Sequence, residues 1–175
     1  MPKHFAKIGI CLTLLFTAGC AAQIHAPKQT DGNPITIDYY CDTSITQEVS
    51  AENAVQIKEV SDFMERHFDG YATKSGYQVD ILTDKSAYVP QQGHFLLVVK
   101  VKKYNPGSKT LRIVVGFGAG AASMDTHYEL YAGSNTPILS KDDGVGSSNP
   151  NWIVIPAKLN EKMLVEVTKA IKDRT

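Results

Sequence analysis

One stretch of the chain, residues 111–131, constrains the fold more than any other, because it joins two strand-like runs through three glycines. Residues 112–115 form a β-branched run, and residues 122–131 alternate apolar and more polar side chains. Alternation with a period of two is typical of a β-strand that has one buried and one wetter face. The stretch therefore predicts two strands of a β-sheet.

A third strand is predicted upstream, over residues 95–103 (FLLVVKVKK). The Asn-Pro-Gly-Ser sequence at residues 105–108 then supplies the fixed φ of proline and the permissive backbone of glycine that a turn needs. Together with the runs at 112–115 and 122–131, this strand predicts an antiparallel meander.

The three glycines, Gly116, Gly118 and Gly120, have two possible roles. A phosphate-binding loop would use the backbone N–H groups that glycine exposes, reinforced by the N-terminus of a following helix. The segment that follows is predicted to be a strand, and the lysine of a GxxxxGK[ST] motif is missing. We therefore interpret them as structural glycines, which mark a bulge, a bend or close backbone packing.

The sequence of residues 100–131, KVKKYNPGSKTLRIVVGFGAGAASMDTHYELY, resembles the core of a bacterial lipoprotein family known as domain of unknown function 4410. The resemblance implies a small periplasmic α/β lipoprotein. It implies no catalytic residues, because the family has none established.

The N-terminal segment, residues 1–19, has the pattern of a signal peptide, with two early lysines followed by an apolar run at residues 8–16. That run is too short for a membrane-spanning helix, which needs ~20 residues. The sequence TAGC at residues 17–20 resembles the lipobox of bacterial lipoproteins, which implies that Cys20 is lipidated. Ala21 is not the aspartate that resembles an inner-membrane retention signal, so we expect a lipid-anchored protein of the outer membrane that faces the periplasm.

Residues 20–33 are predicted to be the lipidated cysteine and a flexible tether that reaches ~20 Å, and residues 34–175 a single periplasmic domain. The 18 basic and 18 acidic residues leave a net charge of zero, which predicts no nucleic-acid partner. After signal removal and lipidation, Cys41 is the remaining cysteine, and we expect it to be a small buried hydrophobe and not a reactive thiol.

Within the domain, strands are predicted at residues 35–40 and 77–82, and helices from Ser50 to Gly70 and over residues 158–172. The second helix has an apolar face formed by Leu159, Met163, Val167, Ala170 and Ile171. Residues 83–93 are predicted to form a loop, and residues 141–151 a solvated loop. The element order predicts an α/β (α+β) fold, a two-layer sandwich with a mixed sheet of about five strands and two helices on one face. The alternative is an all-β barrel with peripheral helices.

The most ligand-like cluster is formed by Asp125, His127 and Glu129, which point to one side of one predicted strand. Alternate side chains lie ~7 Å apart along a strand, too far for these three residues alone to bind one ion. With no G-x-S-x-G motif either, we predict no enzyme, no metal and no cofactor.

The expected function is therefore a non-enzymatic binding or assembly accessory of the cell envelope, which contacts the membrane through the lipid on Cys20 and binds an envelope protein. The alternatives are an anchored metal-dependent hydrolase that uses Asp125, His127 and Glu129, and a small-ligand carrier with an apolar pocket.

Overall fold

A computed structural model describes residues 24–28, 32–42, 51–107, 121–148, 151 and 153–174, with the backbone alone for residues 51–56. Within these residues the chain forms five strands, β1 (Thr36–Asp42), β2 (Gln78–Leu82), β3 (His94–Asn105), β4 (Ala122–Tyr131) and β5 (Leu139–Ser147), and two helices, α1 (Ala51–Lys74) and α2 (Val154–Lys172). The signal segment 1–19, Cys20, the run 112–115 and the glycines Gly116, Gly118 and Gly120 lie outside the described residues. In the described part of the chain, neither helix is long and apolar enough to cross a membrane.

The strands form one mixed sheet in the order β2-β1-β3-β4-β5. β1 runs parallel to β2 and β3, whereas β3, β4 and β5 pair antiparallel. On β5, Lys141 and Asp143 form ion pairs with Glu166 and Lys162 of α2. The two helices also contact each other and share one core with the sheet. The predicted α+β fold, a mixed sheet with two helices, is confirmed.

The alternation of β4 is confirmed, whereas the predicted middle strand of the meander, residues 112–115, lies outside the described residues. β3 pairs directly with β4, with Leu97 opposite Leu130. The strand on the other side of β4 is β5, in a segment that was predicted to be a loop. An edge strand bonds to a neighbour on one side only, so it tolerates glycines and charges that obscure a strand pattern.

The prediction that α1 ends at Gly70 is also wrong. Gly70 is exposed and lies inside α1. At such a position glycine lowers helix stability by about 1 kcal/mol relative to alanine but does not end the helix. The helix ends before Gly76, whose φ is +97°. The N–H of Gly76 donates to the carbonyl of Thr73 (3.0 Å), and the N–H of Tyr77 donates to that of Ala72 (3.1 Å). These two bonds form a Schellman cap.

The second helix begins at Val154, four residues before the predicted start. Pro156 lies in its first turn, where a backbone N–H has no helical partner and proline is therefore tolerated. The predicted apolar face is confirmed, because Leu159, Met163 and Val167 are buried.

Cys41, on β1, is buried in the core as expected. Burial raises the pKa of its thiol to about 12. Because the thiolate is the reactive form, such a thiol is inert at neutral pH.

We predict that maleimide modifies Cys41 only after the protein is unfolded in denaturant, as measured by peptide mass mapping. A cysteine introduced at exposed Ser134 should react at once in the same sample. Equal rates of modification at the two positions would contradict the burial of Cys41.

Candidate functional site

The connection from β2 to β3 crosses the sheet on the side opposite the helices. β2 and β3 flank β1 and run in the same direction. After β2 ends, the chain must therefore return to the end of the sheet at which β3 begins. α1 makes the earlier crossover, from β1 to β2, on the helix side. Right-handed crossovers then place the return path, residues 83–93, on the other side. We call these residues the crossing loop, and the sheet surface that they cross the open face.

The crossing loop buries polar and apolar side chains of the open face. Asp38 of β1 is only 7% exposed and Leu96 of β3 only 3%, although α1 and α2 lie on the other side of the sheet. The hydroxyl of Tyr88 donates to the carbonyl of His94 (3.2 Å) and holds the loop at the start of β3. Asp84 caps a short 3-10 helix by accepting the N–H of Ser86 (2.7 Å). The loop is therefore a structured cover over this part of the sheet.

Next to this cover is a cleft of ≈ 700 Å³, between the crossing loop and the turn from β4 to β5. Leu96 and Tyr131 form its floor, and Tyr88 and Pro90 line its loop side. The ammonium group of Lys85 lies 4.5 Å from the centre of the Tyr131 ring, within cation–π distance. An apolar floor with a few fixed polar groups is typical of a small-molecule or peptide site.

The floor of the cleft is fixed by a hydrogen bond. Tyr131 donates its hydroxyl to a carboxylate oxygen of Glu129, two residues away on the same face of β4. Burial and this carboxylate raise the pKa of Tyr131 to about 12, while the same hydrogen bond lowers the pKa of Glu129. At neutral pH the cleft thus presents a neutral phenol beside an ionised carboxylate and a lysine.

The open face also carries the cluster that the sequence singled out. The imidazole of His127 places Nδ1 3.0 Å from an oxygen of Asp142 on β5 and Nε2 3.6 Å from an oxygen of Glu129. Lys102 of β3 reaches the same Asp142 oxygen at 3.1 Å. The pKa of Asp142 is lowered, first by Lys102 and then by His127. The row of charges therefore ties β3, β4 and β5 together.

Asp125, the third member of the predicted cluster, lies opposite Gly144 of β5. A Cβ added to Gly144 would lie 2.6 Å from the carboxylate of Asp125, so a side chain at this position would have to displace that of Asp125. In the described part of the chain, no group of three His, Cys, Asp or Glu side chains is arranged to hold a metal ion.

A second cleft, of ≈ 520 Å³, lies between these strands and is lined by Lys102, Lys103, Asp125 and Asp142. Lys102 and Lys103 follow each other in the sequence, and both can line the cleft because the register of β3 against β4 shifts between Val101 and Lys103. Such a bulge sets two residues of one strand opposite one residue of its partner. The adjacent lysines that end the run KVKK were the available sequence signal for this irregularity.

Sequence reasoning missed Lys85, Tyr88 and Asp142, because each reaches the open face from a segment that was predicted to be a loop. It also missed the pairing of His94 with Asp38 across β1 and β3, at 3.1 Å. Burial raises the pKa of Asp38, and the hydrogen bond to His94 opposes this.

Comparisons with known proteins gave one family and a few distant structures. The family model described as "Domain of unknown function (DUF4410)" matches residues 38–170. No curated protein matches the chain.

Among solved structures, the PelC dodecamer from Paraburkholderia phytofirmans is 12% identical, with a TM-score of 0.45 over 77% of this chain and 89% of that chain. A variant of the same protein gives 12% identity and a TM-score of 0.47 over 79% and 91%. A neuraminyllactose-binding hemagglutinin homolog from Helicobacter pylori gives 12% identity and a TM-score of 0.35 over 95% and 91%. At this level of similarity these structures assign no activity to the chain.

Proposed function

Because the chain belongs to the DUF4410 family, which defines a domain and no activity, we propose a function from the residues themselves: a non-enzymatic binding or assembly accessory of the cell envelope. Lipid on Cys20 holds it to the periplasmic side of the outer membrane. The open face, with the cleft beside the crossing loop, binds an envelope protein partner.

The observation that carries this proposal is the cleft of ≈ 700 Å³ at the crossing loop. Its floor combines the buried Leu96 and Tyr131 with a lysine held over the aromatic ring. Buried aromatic anchors surrounded by polar groups carry much of the energy of protein recognition. The cleft is also open to solvent at the exposed residues Ser86, Ser134 and Asn135, which gives a peptide segment access to it.

The state of His127 favours binding over catalysis. A general base must reach a proton of the substrate, yet both ring nitrogens of His127 already face carboxylates of the protein. The neighbouring ion pair of Lys102 with Asp142 likewise connects β3 with β5, the strands on either side of β4. We therefore interpret the row as a structural tie across the sheet.

Lipid attachment is supported by the sequence around Cys20. The residues TAGC follow an apolar run and two lysines, which is the order of a lipoprotein signal. Ala21 in the next position favours the outer membrane.

The proposal predicts that a partner is captured from the open face and not from the helix side. A photoreactive amino acid placed at Ser86 or Ser134 should crosslink one specific protein in living cells, identified by mass spectrometry. The matched positions are Lys158 and Glu161, which are also exposed but lie on α2. Identical products from both sides of the molecule, or none from the open face, would contradict the proposed binding face.

The hydrolase alternative is tested by metal analysis of the purified full chain, followed by activity screens before and after chelation. Stoichiometric zinc that is lost in a His127→Gln variant would overturn the non-enzymatic proposal. We expect no such metal, because Asp125, His127 and Glu129 do not form a group arranged to hold an ion in the described part of the chain.

A further inference from the structure

Part of the segment that the sequence predicted to be a flexible tether is packed against the domain. The N–H of Ala26 donates to the carbonyl of Ser75 (2.8 Å), just after α1 ends. Ile24 and Ala26 pack against the edge of the core, and the methyl group of Ala26 lies 3.6 Å from the Cβ position of Gly76. Residues 24–28 are thus fixed to one end of the sandwich.

This contact limits the distance between the domain and a lipid on Cys20. Only residues 21–23 separate Cys20 from Ile24. Four residue steps span at most ~14 Å, even when fully extended. The end of the domain that holds Ile24 is therefore the end nearest the lipid.

Both helices end at this same end of the molecule. Asn160 of α2 donates to the carbonyl of Met64 in α1, and Tyr77, just after α1, donates to Thr168 near the end of α2. The helices therefore run in the same direction. Ile24 and His25 lie beside Lys169 and Lys172 in a shallow cleft of ≈ 340 Å³ at the end of α2.

Basic residues are concentrated here, although the whole chain has no net charge. The exposed cations at this end are Lys28, Lys74, Lys169, Lys172 and Arg174, and we call these five residues the helix-end surface. Two acidic residues, Asp69 and Asp173, lie nearby, so the five cations outnumber them and the local charge is positive. Lys74, Lys169 and Lys172 lie in the last turns of the two helices, where the negative end of the helix dipole favours a positive charge.

We infer that the helix-end surface is the membrane-facing side of the domain and that it binds anionic lipid headgroups. The inference rests on the lipid anchor of the proposed function. Attraction between lysines and an anionic leaflet decays over about 10 Å at 0.1 M salt. A connection of at most ~14 Å keeps the helix-end surface near the distance over which this attraction acts. The ~20 Å tether expected from the sequence would let the surface move beyond that distance.

The inference is tested on the acylated full chain in vesicles of phosphatidylcholine, with and without phosphatidylglycerol. A fluorophore on Asp173→Cys reports the helix-end surface, and one on Asn105→Cys, at the last residue of β3, reports the opposite end. Buried Cys41 takes no label in the folded protein. Quenching by lipids that carry a headgroup quencher should be several-fold stronger at position 173, and phosphatidylglycerol should increase it.

The charge-reversal variant Lys169→Glu/Lys172→Glu should lose the increase caused by phosphatidylglycerol. The matched control, Lys103→Glu/Lys158→Glu, changes the same charge elsewhere and should keep that increase. Equal quenching at positions 173 and 105, or crosslinking of position 173 to a second copy in place of lipid-dependent quenching, would overturn the inference while the anchor stands. A mass spectrum without acyl chains on Cys20 would instead refute the proposed anchor, and the membrane-facing assignment with it.

Discussion

Replacement of Phe68 by alanine is expected to lower the free energy of unfolding by about 3–5 kcal/mol, the range for large aromatic residues removed from a core. Phe68 is fully buried on α1, and its ring centre lies 4.8 Å from that of Tyr39 on β1. The aromatic pair joins the helix layer to a central strand of the sheet, so the cavity would open between the two layers. The melting temperature of a domain of this size should fall by roughly 6–20 °C.

The measurement is urea unfolding followed by circular dichroism. Val165→Ala is the control, since Val165 of α2 is 49% exposed and its truncation leaves the interior intact. That variant should remain within about 0.5 kcal/mol of the original protein, as surface substitutions usually do. If Phe68→Ala were equally mild, the packing of α1 on β1 would not be a main source of stability.

The second large effect is expected from Cys20→Ser, which should release or misroute the protein so that it leaves the outer-membrane pellet. Each buried CH₂ of an acyl chain contributes ~0.8 kcal/mol to membrane binding, so the several chains implied by the lipoprotein resemblance hold the protein firmly to the bilayer. The Cys20→Ser variant has no acyl chains and loses all of this binding energy. In the described part of the chain no helix provides a second means of spanning the bilayer.

Fractionation of cells checks this expectation, with immunoblotting of each fraction. Cys11→Ser is the matched control, because Cys11 lies within the segment that we expect to be removed and should not change the location. If the Cys20→Ser protein still sedimented as an integral membrane protein, both the lipidation of Cys20 and the short reach from Cys20 to Ile24 would lose their basis.

The two predictions depend on different kinds of information. The anchor follows from a local motif, which can be recognised without any knowledge of the fold. The importance of Phe68 follows partly from the helical spacing of the apolar residues of α1, which the sequence shows, and partly from the partner Tyr39, which it does not. The candidate site shows the same division, because the alternation of β4 placed Asp125, His127 and Glu129 on one face but could not identify Asp142 as a partner.

The two layers of this protein could be predicted from local sequence patterns. The period of two in β4 and the helical spacing in α2 each decide which side of an element is buried, because side-chain direction repeats locally along a strand or a helix. The buried sets of β4 and α2 come from these patterns, the mixed sheet with its two helices from the order of the elements, and the burial of Cys41 from the usual behaviour of a lone cysteine.

The neighbours of each strand and the contacts on the open face depend on how distant parts of the chain pack together. Strand β5 contains Gly144 and two aspartates, so its local pattern is that of a loop, and its pairing with β4 is what makes it a strand. Lys85 is likewise brought over Tyr131 by a chain crossing between parallel strands, a constraint set by sheet order and not by nearby residues. The contact of Ala26 with Ser75 is equally nonlocal, since the two partners lie on opposite sides of β1 and α1 in the sequence and meet only when both elements are packed.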